Sequence, residues 1–322
     1  MNTRTISTLW ALMRRELWEN PGILKWAPIV IAALFLFFIG VSLIIGARFD
    51  AELAFTLDAI RAFAEQPSEQ RRLVVTGMMF ATSAIFFQFL ILLVLFYLPG
   101  SLYDDRKDRS ILFWKSLPVS DQMTVASKLL TACLLAPAIY LAAAILTQLI
   151  ILLIATGYGL AAGVNPITTF WLTAGLPKLW LVLAAGLLVQ AMWLLPIYAW
   201  ILFCSSWAPR VPILIAIAIP LGVSLLQHAW SLVSGLRLPE FNIGLIMLKR
   251  LGAGIIPTSA NFQIDSTSHR ADLTDIRFGE EVFMSFSNVF DHLLKPEMWI
   301  GVVIALVLLA GAVWFRRRAT DN

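Results

Sequence analysis

"LVVTGMMFATSAIFFQFLILLVLFYL", residues 73–98, runs for 26 residues without an Asp, Glu, Lys or Arg. At about 1.5 Å of rise per residue, a helix of that length crosses a hydrocarbon core of about 30 Å. Five more uncharged apolar runs lie on either side of it, at about 26–47, 129–155, 179–204, 212–235 and 298–315. The whole 322-residue chain is 59% hydrophobic and 14% charged, where a soluble domain carries about 25% charged residues. The fold class is therefore an all-α integral membrane protein with six transmembrane helices. A net charge of +4 spread over the loops gives no basic face for nucleic acid.

Lys and Arg set the expected orientation. With a cytoplasmic N-terminus, the inner segments 1–25, 99–128, 205–211 and 316–322 carry a net +6 and the outer ones −2. "FRRRATDN" (315–322) is the clearest inner anchor. Trp26, Trp207 and Trp314 fall at inner span ends, and Trp171, Trp180, Trp230 and Trp299 at outer ones, as interfacial belts place them. Both termini are thus expected in the cytoplasm.

The spans occupy 26–322, and residues 1–25 form a separate element. In "TISTLWALMRRELWENPG" (5–22), Ile6, Leu9, Trp10, Met13 and Leu17 recur at helical spacing, with Arg14, Arg15, Glu16 and Glu19 on the other side. This predicts an amphipathic helix in the inner interface, touching lipid through Trp10 and ended by "NPG". Arg14, Arg15 and Glu16 interrupt any apolar signal-peptide core.

Between spans two and three, "SLYDDRKDRSILFWKSLPVSDQMTVASK" (101–128) carries five basic and four acidic residues. On charge alone it reads as a solvated loop that sets orientation. Its near balance of sign adds a second reading, a patterned surface for a cytoplasmic partner. Residues 102–114 predict a short helix, charged at one end and oily at the other. Ser120 or Asp121 is expected to cap the helix that becomes span three.

"YDDRKDRSILFWKSLPVSDQMTVASKLL" (103–130) resembles the first cytoplasmic loop of the ABC type-2 exporter permeases. Its charged run precedes a short apolar segment, then the turn of Leu117, Pro118, Val119 and Ser120, then Lys128 before the third span. The topology is similar over nearly the whole chain. The resemblance implies a permease subunit paired with a second permease chain, the same or related. It implies cytoplasmic ABC ATPase subunits that bind ATP and Mg, and a bacterial cytoplasmic (inner) membrane. It also implies that loop 99–128 seats a coupling helix on the ATPase, with Tyr103, Asp104, Asp105, Arg106, Asp108 and Arg109 as contacts. A non-transporting assembly or scaffold protein would share the topology and the charged loop.

The chain lacks G-x-x-x-x-G-K-[ST] and G-x-S-x-G, and His228, His269 and His292 form no recognisable metal spacing. No catalytic role or cofactor is expected in the chain itself. Cys133 and Cys204 read as reduced packing residues. The bulkier polar residues of the spans are Gln88, Gln148, Gln190, Gln227 and His228. They read either as helix-to-helix hydrogen-bonding groups or as polar points along a pathway. Pro137, Pro196 and Pro220 are expected to kink their helices.

Outside, residues 48–72 predict a surface helix with Leu53, Leu57, Ile60 and Phe63 on or near one face. Segment 236–297 is longer. "FNIGLIMLKRLGAGIIP" (241–257) is expected to dip into the bilayer and return, 258–281 to be an exposed loop carrying His269 and Asp272, and Phe283, Phe286, Phe290 and Leu294 to share a helix face.

Overall fold

The computed structural model describes residues 3–48, 50–109, 111–116, 118–234, 242–255 and 286–319. The elements are α1 (Thr3–Glu19), α2 (Ala27–Arg48), α3 (Asp50–Glu65), α4 (Ser68–Lys107), α5 (Ile111–Ser116), α6 (Asp121–Leu130), α7 (Ala136–Ala161), α8 (Leu176–Trp207), α9 (Pro212–Ser234), α10 (Ile243–Ile255), α11 (Phe286–Leu294) and α12 (Pro296–Arg318). Among the described residues, six helical stretches are long and apolar enough to cross a membrane, and they coincide with the six runs expected. The described residues contain no strand. The predicted loop at 258–281, with His269 and Asp272, lies outside the described residues, as do Phe283 and Leu117.

The second and fourth spans form the axis of the bundle. About half of the most apolar 18 residues of each is buried, at 50% and 56%, against 6% and 11% for the first and fifth spans. A polar knot ties the axis together: the Gln148 amide donates to the Met79 carbonyl (2.8 Å) and Ser83 Oγ (2.7 Å), and accepts from Trp180 Nε1 (2.8 Å). Spans two, three and four thus share one satisfied amide, which lipid could not have satisfied. Trp180 is therefore a packing residue and not a belt residue, and so is Trp171, whose Nε1 donates to Thr156 Oγ1 (2.9 Å). Trp26, Trp230, Trp299 and Trp314 are exposed, as a belt requires. Cys133 and Cys204 are free and buried.

Local chemistry explains the helix ends. Ser120 caps α6, its side chain accepting from Met123 N (3.3 Å). The charged run after span two differs from the expected short helix. Residues 102–107 are the last turns of α4, and the chain turns at Arg109 (φ 55) before the separate helix α5. Pro99 did not end α4. A proline removes one ladder bond, here the one to the Leu95 carbonyl, and the turn that follows is held from α8 by Ser205: its Oγ donates to the Pro99 carbonyl (2.7 Å) and accepts from Leu102 N (3.1 Å) and Tyr103 N (3.0 Å). Pro137 lies just past a π-helical turn at Thr131–Leu135, and Pro196 and Pro220 sit inside α8 and α9.

At the end of the second span opposite the charged run, α3 forms as expected, its Phe63 ring stacked on Phe170 (6.3 Å) and Arg61 Nε donating to the Ala162 carbonyl (2.9 Å). The helix α10 reaches the middle of α8. Gln190 donates to the Gly254 carbonyl, and Trp193 Nε1 to the Arg250 carbonyl (3.1 Å). Arg250 returns two bonds, to the carbonyls of Trp193 (2.7 Å) and Glu297 (3.1 Å), with its guanidinium 4.4 Å from the Trp193 ring centroid. Gly301 leaves the space that this guanidinium occupies. Arg250→Met should therefore loosen α10 from α8 and α12, lowering stability by about 1–3 kcal/mol, the cost of leaving buried polar groups unpaired. Thermal unfolding of the purified protein in mild detergent measures this.

Candidate functional site

Charges gather at one end of the bundle, where α1, the end of α4, the start of α6 and the end of α12 meet. Four of them are almost wholly buried: Glu16 (1% exposed), Lys128 (2%), Arg316 (3%) and Asp105 (6%). Glu16 lies on the same side of α1 as buried Met13, so its carboxylate enters the bundle. Its Oε1 accepts from Lys128 Nζ (3.0 Å) and its Oε2 from the Tyr97 hydroxyl (2.7 Å). Asp105 Oδ2 accepts from Arg316 Nη1 (3.1 Å) and lies 3.8 Å from Lys128 Nζ. Asp105 Oδ1 accepts from Arg15 Nη2 (3.4 Å). Asp121 Oδ1 stands 3.2 Å from Arg316 Nε.

Three carboxylates (Glu16, Asp105, Asp121) and three cations (Lys128, Arg316, Arg15) thus meet in the inner part of one connected cluster, and the exposed Glu19 adds a fourth carboxylate at its edge. Balance is what burial demands, because an unpaired ion pays several kcal/mol of desolvation. The cluster also reaches α5, where the Trp114 ring lies 3.3 Å from the Arg15 guanidinium, a cation–π contact. Arg15 Nε is tied on its other side to Glu19 (2.6 Å).

A second clamp sits beside the first. Arg106 Nη2 donates to the carbonyls of Ser205 (2.7 Å) and Ala208 (2.9 Å) at the C-terminal end of α8. A cation there satisfies carbonyls the helix leaves open and meets the negative end of its dipole.

The structure divides the expected coupling residues into two sets. Asp104, Asp108 and Arg109 are exposed, together with Lys107, and Tyr103 is half-buried. Asp105 and Arg106 are turned inward and held by the chain's own groups. On α1, Trp10 and Arg14 face outward with exposed Ile6 and Trp18, while Arg15 and Glu16 face the cluster. Glu16 was expected on the polar, outward side of α1; its charge marked it as polar, but a buried lysine made the inner side the polar one.

The span residues Gln88, Gln148, Gln190, Gln227 and His228 are not brought together. Gln148 and Gln190 are buried in separate contacts, Gln227 is half-buried, and Gln88 and His228 are exposed. The sequence reading missed Lys128, Arg316, Asp121 and Tyr97 as site residues. A usable signal was there: Lys128 and Arg316 directly abut uncharged runs, so each must enter the bundle or snorkel to its edge. Among the described residues, no three His, Cys, Asp or Glu side chains group as metal ligands.

A scan against models of known protein families finds no match, and searches of curated proteins and of solved structures find none either.

Removing one ion from a buried pair costs about 3–5 kcal/mol. Glu16→Gln and Lys128→Met should each destabilise the protein on that scale, and the double exchange Glu16→Lys with Lys128→Glu should recover part of the loss. Melting temperatures of the three variants in detergent check this.

Proposed function

We propose that the chain is the membrane subunit of an ATP-driven exporter of the ABC type-2 class, worked by a separate ATP-binding subunit through loop 99–128. The observation that supports this reading is the division of the loop's charges. Asp104, Lys107, Asp108 and Arg109 offer a mixed-charge surface to a partner. Asp105 and Arg106, interleaved with them, grip α1, α6, α8 and α12. A displacement imposed on the exposed side chains is therefore carried by short, buried contacts to spans two, three, four and six together. On this reading ATP and Mg belong to the partner, and this chain supplies the pathway and the lever. The host membrane is the bacterial cytoplasmic membrane, with the charged loop facing the cytoplasm.

The test is purification from native membranes in gentle detergent, with mass spectrometry and an ATPase assay. A stoichiometric ATP-binding subunit supports the reading. Recovery of other membrane proteins with no ATPase turns it toward an assembly or scaffold role.

Reversal of exposed charges separates coupling from folding. Asp104→Lys with Asp108→Lys should remove most of the bound ATPase, at least tenfold by pull-down, and leave the melting temperature within about 2 °C, because exposed substitutions stay within about 0.5 kcal/mol. Asp105→Lys should instead lower the melting temperature, because it breaks the buried cluster.

A further inference from the structure

Span five is held unevenly along its length. Beyond Pro220 it is tied to α10: the Ser224 hydroxyl accepts from Gly244 N (2.9 Å) and bonds to the Asn242 side chain. A Cβ on Gly244 would press on Ser224 and on the Pro220 carbonyl, so the two helices touch closely there. The half before Pro220, next to the charged end of the bundle, is held by much less. From Val211 to Pro220 the buried residues are Pro212, Ala216 and Pro220, a single line four residues apart, while Leu214 (62% exposed) and Ile217 (59%) stand outward. Among the described residues this half has one hydrogen bond to another membrane span, from Trp200 Nε1 on α8 to the Ala216 carbonyl (2.9 Å).

Pro220 gives that bond its importance. In a regular helix the N–H at position 220 would donate to the carbonyl four residues back, that of Ala216. Proline has no N–H, so the ladder of α9 is broken here, and such breaks are where helices bend. The Ala216 carbonyl is satisfied from α8 instead. Trp200 is fixed for this task, its ring 6.0 Å from Phe203, which lies 5.7 Å from Phe315 on α12. At its other end the segment starts from a turn. Val211 has a φ of 24°, a region that β-branched residues avoid, and at 50% exposure it gains little from packing. Residues 212–219 thus lie between a strained turn and a broken ladder, with one hydrogen bond across to the neighbouring span.

We propose that residues 212–219 are a gate, which pivots about Pro220 away from α8 and is latched by the Trp200 N–H. Beyond Pro220 the helix keeps its bonds to α10, so the pivot leaves that half in place. Opening takes little apolar surface out of the bundle, because the line that leaves α8 is made of two proline rings and one methyl group. The movement parts spans four and five beside the Arg106 clamp on the end of α8 and opens the bundle toward the lipid.

Thiol labelling in native membranes tests this, with a small maleimide as the probe. Ala216 is 7% exposed and lies about 6 Å along the helix from Pro212, within reach of water once the gate opens. The unsubstituted chain, whose two cysteines are buried, gives the baseline. Trp200→Phe keeps a ring and removes the N–H. It should speed labelling of Ala216→Cys about tenfold, the worth of one hydrogen bond to a buried carbonyl. It should leave Ala144→Cys, fully buried on α7, unchanged. Pro220→Ala restores the N–H that the Ala216 carbonyl lacks, so it should slow labelling at least threefold and cut the effect of Trp200→Phe to less than twofold. Equal acceleration at Ala144→Cys means general loosening and overturns the proposal. So does an unchanged rate at Ala216→Cys with Trp200→Phe or with Pro220→Ala in folded protein, or a Trp200→Phe effect that Pro220→Ala leaves intact. Labelling needs no ATPase, so failure here and absence of an ATP-binding partner are separate results.

Discussion

The fold depends on neutralising charge where an apolar bundle meets water. Lys128 and Arg316 stand directly at the ends of spans three and six, and both are buried. Glu16 and Asp105 reach them from helices that are neighbours only in space. A buried cluster of this kind is weak evidence for stability, because hydrophobic side chains of similar volume often hold as well. What it supplies is geometry. Each ion finds its counterions in one arrangement, so α1, the second, third and sixth spans and α5 take fixed places around one point.

That arrangement gives loop 99–128 its physical interest. Along the last turns of α4, side chains alternate between solvent and bundle within single helical steps. Asp104 and Asp105 are sequence neighbours of identical charge, yet one is exposed and the other 6% exposed. The Ser205 hydroxyl, bonded to the turn that follows Pro99, holds this end of α4 against α8. The charged turns therefore continue a rigid span, and motion imposed on them is motion of the span.

In the opposite half of the bundle, α10 is held by hydrogen bonds to backbone. Arg250 finds no carboxylate within ion-pair distance among the described residues and bonds two carbonyls. It thereby anchors α10, a helix too short to cross, against the middle of α8. Gln190 meets the same helix at Gly254. The bundle is thus pinned by charge balance at one end and by backbone carbonyls deeper in, with the Gln148 knot between spans two, three and four.

The sequence by itself determined the class, the six spans, the helix α1 and the surface helix α3. Each follows from run length or from the period of apolar residues, which are local properties. Ser120 as a cap was equally local. The sequence could not tell which charges go inside. Glu16 reads as polar and outward until Lys128, 112 residues away, is seen to wait for it. Asp105 and Arg106 read as one surface with Asp104 and Asp108 until Arg316 and the end of α8 claim them. Nor could it separate Gln148, which is satisfied inside, from Gln88, which is bare on the outside. Hydropathy assigns both the same value. Only tertiary structure decides which face of a uniformly apolar helix is turned inward, because in such a helix no polar stripe marks the outer one.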